Sequence, residues 1–281
     1  MRMARKARVW AFLAAALLAA GDAAAQQIEV SLTLAYTVFV VGEPVLVELG
    51  VVNATPDLLD IGGPQSRDAV LVEITKGDRY SELEAFNPAP LVDAVRLKPG
   101  QRFQHKVELD KWFPLIKEGK YVARAVIVHD GVRYESSKKS FDVVPGLPVK
   151  DAVQMFVKRR ESKRLFKLVS WSRNQSERLF LRMEDDPDGK VWDSIDLGPL
   201  LRLTAPKLDI SPEGEVTVVH RATQDAFIRT VLWSLPDSVE VVERNNLLDP
   251  EISASQRVRA LYGEMAEQEP EKEKKAWWKF W

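Results

Sequence analysis

Short runs in which apolar and polar residues alternate recur along most of this 281-residue chain. Over residues 28–34, and again over residues 45–51, every second side chain is apolar. This period of two places one face of a β-strand on a core and the other face toward water. Glycine, proline and aspartate separate one run from the next, as turns between strands require. The pattern predicts a mostly β protein.

The first 25 residues have the composition of a secretory signal peptide. The segment opens with the basic residues Arg2, Arg5, Lys6 and Arg8. An apolar stretch over residues 9–20 follows, and residues 23–25 are alanines, the small side chains of a cleavage site. The apolar stretch is shorter than the roughly 20 residues that cross a membrane as a helix. We therefore expect cleavage near Ala25 and export to the periplasm or the cell surface.

The chain contains no cysteine, which excludes disulfides, thiolate metal sites and cysteine nucleophiles. An exported chain without disulfides must be stabilised by its hydrophobic cores, and about 255 residues suffice for two of them. Removal of residues 1–25 takes away four basic residues and one acidic residue and leaves a net charge of about −4. Nucleic acid is therefore not an expected partner, because binding to phosphates needs concentrated positive charge.

Residues 26–145 are predicted to form the first domain. A β-rich run begins at Gly119-Lys120-Tyr121, and the pair Asp130-Gly131 near its end favours a tight hairpin turn. The Gly-x-Tyr sequence resembles the tyrosine corner of immunoglobulin-like sandwiches, with Ala123 at the position of a disulfide cysteine. The resemblance implies an Ig-like β-sandwich of the kind found in bacterial envelope and surface proteins. It implies a fold and not an activity.

Residues 146–246 are predicted to form a second antiparallel β domain. Prolines and a glycine over residues 145–148 indicate a linker, and residues 151–160 are interpreted as a short helix or an irregular crossover. Seven short strands are expected after residue 163, packed as a second sandwich or a partial barrel. They are residues 164–169, 178–183, 191–195, 207–210, 216–220, 227–233 and 239–242.

Residues 247–281 are predicted to form a short amphipathic helix followed by a flexible tail. Asp249 can cap the helix, with Pro250 at its first position, and apolar residues fall largely on one face up to Met265. The tail carries candidate contacts to a partner pocket or to a membrane surface, unless it folds back or stays disordered. These contacts are Lys275, Trp277, Trp278, Lys279, Phe280 and Trp281.

The sequence shows no catalytic apparatus. The three histidines, His105, His129 and His220, lie on separate predicted strands or turns and lack the spacing of a helical metal site. No nucleophile elbow and no phosphate-binding loop is present. We therefore expect a protein without a catalytic, cofactor or metal site. His129, next to Asp130, is the first candidate for a titrating group.

Two further sets of residues are candidate surface contacts. The densest basic cluster could contact an anionic glycan, a lipid headgroup or an acidic protein, or could be an exposed connector neutralised by Glu161. It contains Lys158, Arg159, Arg160, Lys163 and Arg164. Three indoles, those of Trp171, Trp192 and Trp233, could stack on a glycan.

The sequence from Asp186 to Trp192 is similar to the Asp-box hairpin of sialidase-type propellers, although aspartate and glycine are adjacent here. Residues 155–245 could hold at most two propeller blades, too few to close a ring.

Export, β architecture and the missing catalytic motifs together favour a non-enzymatic binding or scaffold protein of the bacterial cell envelope. Its modules would present loops or edge strands to a protein or glycan partner. The alternative is a carbohydrate-binding or carbohydrate-processing module that uses the three indoles and acidic loop residues. A third hypothesis is an Ig-like protease inhibitor with an exposed loop.

Overall fold

The computed structural model describes residues 28–64, 66, 68–77, 81–155, 163–187, 189–236 and 238–248. The described chain is mostly β and its strands form several antiparallel sheets. It divides into two compact units, Met1–Pro145 and Gly146–Trp281, and the boundary falls at the start of the predicted linker. Within the described residues, no helix is long and apolar enough to span a bilayer. The predicted signal peptide lies outside these residues.

The first unit contains two main sheets and a small ribbon. Its elements are β1 (Ile28–Leu34), β2 (Val38–Val40), β3 (Leu46–Asn53), β4 (Leu59–Ile61), β5 (Ala69–Lys76), β6 (Ser81–Glu82), β7 (Val95–Leu97), β8 (Arg102–Glu108), a 3₁₀ turn (Leu109–Lys111), β9 (Gly119–His129), β10 (Val132–Glu135) and β11 (Lys139–Val144). One sheet has the order β1-β3-β8 and the other β2-β11-β9-β5-β6, with β10 also paired to β9; β4 and β7 form the ribbon.

The predicted alternation decides which side chains form the core of this unit. Val47, Leu49 and Val51 are each at most 2% exposed, and Tyr121 and Ala123 on β9 are fully buried. One pairing is parallel, between β2 and β11. The hairpin predicted at Asp130-Gly131 is confirmed, because the turn joins β9 to β10 and both of its residues have positive φ.

Tyr121 fixes the chain where it enters β9. Its hydroxyl donates a hydrogen bond to the backbone oxygen of Lys117 at 2.5 Å. Its ring stacks on Phe141 with centroids 5.4 Å apart. Burial raises the pKa of Tyr121, so the hydroxyl stays protonated and remains a donor.

Replacing Tyr121 by Phe removes this one hydrogen bond and leaves the ring packing in place. We expect the free energy of unfolding of the first unit to fall by about 1 kcal/mol. Urea denaturation followed by circular dichroism measures the change. Tyr134→Phe is the matched control, because within the described residues its hydroxyl has no hydrogen-bond partner. An equal effect of both substitutions contradicts the prediction.

The second unit consists of two four-stranded antiparallel meanders, each in chain order. The first contains β12 (Leu147–Met155), β13 (Lys163–Arg173), β14 (Ser176–Asp186) and β15 (Val191–Pro199). The second contains β16 (Lys207–Ile210), β17 (Glu215–Arg221), β18 (Ala226–Leu235) and β19 (Ser238–Leu248). Both sheets contribute to one buried cluster that includes Phe166, Leu181, Val216 and Leu232. The seven strands predicted after residue 163 are all present, and most extend beyond their predicted ends.

The prediction of a linker and then a helix or crossover is wrong for residues 147–155, which form β12. Pro148 indicated a break, but β12 is the edge strand of its sheet, where a proline costs no ladder hydrogen bond. A register shift between Pro148 and Lys150 accommodates the ring. Residues 156–162 lie outside the described part of the chain, as do the helix and tail predicted after Leu248.

Candidate functional site

A groove of about 460 Å³ runs along one edge of β5 in the first unit. Its walls are residues 62–64, 69–72 and 87–91 together with Ala85, Trp112 and Phe113. Asn87 is the one side chain of this set with a polar group other than the Trp112 indole, and the set includes no charged residue. The groove is therefore suited to an apolar, uncharged ligand.

The edge of β5 is unpaired over its first half. At the far end, β6 pairs only with Thr75 and Lys76, and the backbone nitrogen of Leu83 donates to the oxygen of Ile74. Backbone groups two residues apart in a strand point to the same side, so Val70 and Val72 present their N–H and C=O groups to the groove. Within the described residues these groups have no hydrogen-bond partner.

The near end of this opening is closed by β4. Ile61 forms a single parallel bridge with Asp68, and the backbone nitrogen of Asp68 donates to the oxygen of Asp60. Gly62 and Gly63 then turn the chain with positive φ, and a Cβ on Gly62 would lie 2.4 Å from the backbone oxygen of Asp93. The opening between β4 and β6 is thus about five residues, or roughly 17 Å, long.

The wall opposite β5 is a loop fixed by hydrogen bonds. The Asn87 side chain donates to the backbone oxygen of Lys111 and accepts from the backbone nitrogen of Ala89. The indole Nε1 of Trp112 donates to the oxygen of Ala89 at 2.9 Å. Pro88 and Pro90 are exposed and have no N–H group. This wall offers apolar surface to a ligand, and its prolines cannot donate to one.

A buried carboxylate and a histidine lie close together at the start of β5, beside the groove. The carboxylate of Asp68 is 1% exposed and lies 2.9 Å from Nδ1 of His129, whose Nε2 is 3.6 Å from Asp130. His129 was the titrating group selected from the sequence, but its buried partner is far away in the chain and was missed. In the described part of the chain, no cluster of three or more histidine or acidic residues is arranged to hold a metal.

The structure separates the members of the predicted basic cluster that it describes. Lys163 is half-buried and forms an ion pair with Asp186 at 2.7 Å. Arg164 is fully buried and bonds to groups inside the second unit, so its charge is not presented at the surface. Lys158, Arg159 and Arg160 lie outside the described residues, as do the aromatic and basic residues of the predicted tail.

The three indoles of the glycan hypothesis do not share a surface. Trp171 alternates with the core residues of β13 and faces outward from the first meander, while Trp233 is 36% exposed on the outer face of the second. Trp192 packs against the core, with Lys190 Nζ 3.5 Å and the Arg164 guanidinium 4.5 Å from its ring. One exposed indole, that of Trp233, remains as a stacking position.

The groove was not predicted from the sequence. The pattern Asn-Pro-Ala-Pro and the nearby Trp112 are the only local signals for its wall. The open edge depends on how few residues of β6 pair with β5, and an alternation pattern carries no information on pairing length.

No family model matches the chain, and the search of curated proteins finds no match. Among solved structures, the chain is similar to the sporulation control protein Spo0M of Bacillus subtilis, with 9% sequence identity and a TM-score of 0.29. The alignment covers 86% of this chain and 98% of the Spo0M chain. A TM-score this low does not establish a common fold.

Proposed function

We propose that this chain is an exported, non-enzymatic binding protein that receives an extended segment of a partner protein in the β5 groove. The observation that carries the proposal is the opening at Val70 and Val72, where unpaired backbone groups face an apolar wall. An extended segment would pair with these groups as an added strand, which is a common mode of peptide recognition. Its main chain would supply affinity, and its alternate side chains specificity.

The lining defines the chemistry of the partner segment. It is uncharged, so a charged side chain entering the groove would lose hydration without gaining a counter-ion. The side chains of the partner that enter the groove are therefore apolar, and the opening accommodates about five residues. A matching segment has apolar residues at alternate positions and no proline where it pairs with β5.

The location and fold of the protein are part of this proposal. The amino-terminal sequence supports export to the bacterial periplasm or cell surface after cleavage near Ala25. The parallel β2–β11 pairing, the Tyr121 hydrogen bond to Lys117 and the buried Ala123 support an Ig-like sandwich in the first unit. The carbohydrate alternative has less support, because of the three candidate indoles only that of Trp233 is exposed.

A library of short unstructured peptides on beads tests the proposed binding with the chain from Gln26 to Trp281. We expect enrichment of peptides with apolar residues at alternate positions. Ala89→Asp places a charge in the groove wall and leaves the backbone bonds of the loop in place, so binding of the enriched peptides should weaken at least tenfold. Fluorescence anisotropy of a labelled enriched peptide measures the affinity.

Ala94→Asp is the matched control, since it makes the same change at an exposed position of the same connection outside the groove. Methylation of peptide nitrogens adds a second criterion. If the peptide binds as an added strand, methylation of a nitrogen whose N–H group faces β5 should abolish binding. Methylation of a nitrogen whose N–H group faces away from β5 should leave binding unchanged. The proposal is refuted if no such peptides are enriched. It is also refuted if Ala89→Asp and Ala94→Asp weaken the binding of the enriched peptides equally.

A further inference from the structure

We infer that the segment received by the β5 groove is Trp277–Trp281 of a second copy of this chain. The inference rests on the proposed function and specifies its partner. Two features support it, which are the shape of the groove and the sequence of this segment.

The groove selects an unpaired segment over the edge of a folded sheet. The Asn87–Leu91 loop stands opposite the β5 edge and lines the same cavity. A strand that already belongs to another sheet would bring its neighbouring strand into this wall. A segment without a partner strand fits between the edge and the loop.

The sequence of residues 277–281 matches the chemistry of the groove. In an extended segment Trp278 and Phe280 point to the same side, and Lys279 points to the other. Two aromatic side chains would thus share one side of the added strand and enter the uncharged groove, while the lysine points to the other side. No other five-residue stretch of the chain contains four aromatic residues.

The length of the chain after β19 allows the segment to reach another copy. Residues 249–276, which are 28 residues, separate the segment from Leu248, and the helix predicted from the sequence ends before it, near Met265. The β5 groove of one copy would bind the segment of the next copy, so contact between copies is head-to-tail and propagates. This arrangement suits a scaffold protein.

A mixing experiment tests the inference with two variants of the chain from Gln26 to Trp281. One carries Ala89→Asp in the groove, and the other carries Trp278→Ser and Phe280→Ser. Sedimentation velocity should show concentration-dependent association of the unaltered chain and at least a tenfold weakening for each variant alone. An equimolar mixture should form a dimer, because one chain supplies an intact segment and the other an intact groove.

Trp233→Ser is the control for loss of an exposed indole, and it should associate like the unaltered chain. A mixture that stays monomeric overturns the inference, as does an unaltered chain that stays monomeric. If the unaltered chain is monomeric and binds library peptides only after Trp278 and Phe280 are replaced, the segment fills the groove of its own chain and the second-copy assignment is wrong. If the mixture stays monomeric while the serine variant still enriches library peptides, the proposed function stands without this partner.

Discussion

Replacing Arg164 by Met should lower the free energy of unfolding of the second unit by roughly 3–5 kcal/mol. The guanidinium is fully buried and donates to Asp185 at 2.7 Å, to the Ser234 hydroxyl at 3.0 Å and to the Leu235 oxygen at 2.8 Å. It therefore ties β13 and β14 to the β18–β19 hairpin of the other sheet. Methionine restores the apolar stem but leaves these acceptors without their donor.

The charge on Asp185 is the main source of this loss. Burial alone would raise the pKa of Asp185, but the hydrogen bond and positive charge of Arg164, together with Trp192 and Lys190, outweigh it, and the pKa lies below its ordinary value. Without Arg164 the carboxylate has to be solvated or protonated at a structural cost. The double variant Arg164→Met with Asp185→Leu should therefore recover part of the stability.

Urea denaturation monitored by tryptophan fluorescence measures these changes. Arg229→Met is the matched control, because Arg229 forms an exposed ion pair with Glu243 and its removal should cost less than about 1 kcal/mol. A loss for Arg164→Met no larger than that of the control would show that the buried network does not stabilise the unit.

The second unit should also lose stability as the pH falls from about 6.5 to 4. His220 on β17 is 1% exposed, and burial lowers its pKa from 6.5 to about 4, with nearby Arg244 acting in the same direction. Between these values the unfolded chain binds a proton that the folded chain does not, so acidification favours unfolding. The full difference corresponds to about 3 kcal/mol, all of it retained above pH 6.5.

Denaturation midpoints measured across this pH range test the assignment. His220→Leu should remove most of the dependence of the denaturation midpoint on pH, called the slope below, because it removes the titrating group. His105→Gln, on a half-buried histidine of the first unit, should leave the slope of the second unit unchanged. The pKa of Asp185 is lowered from 3.8, so its stabilising contribution is lost only at more acidic pH. A slope that persists in His220→Leu contradicts the prediction.

The strands were predictable because alternation and turn chemistry act locally. Residues 207–210 were predicted with the bounds that β16 has, and the Asp130-Gly131 turn needs no information from the rest of the fold. The prediction of a chain break at Pro148 was wrong because the energetic cost of a proline in a strand depends on whether that strand lies at the edge of its sheet. The position of a strand in a sheet is a property of the whole sheet and not of the local sequence.

The role of Arg164 was partly visible in the sequence. Arg164, Phe166 and Leu168 are every second residue of one strand, so their side chains lie on the same face of it, which is the core face. The density of basic residues around Arg164 suggested a surface cluster instead. Its acceptors on the β18–β19 hairpin could not be inferred, because they lie about 70 residues away in the chain. The groove was hidden for the same reason, since its edge and its wall meet only after the sheet has formed.

The first unit contains no cysteine, so its stability does not depend on redox conditions. The methyl group of Ala123 is fully buried, and the stacked rings of Tyr121 and Phe141 lie in the same region of the core. The unit should therefore refold to the same yield with or without a thiol reductant, and recombinant production in a reducing cytoplasm should not impair it.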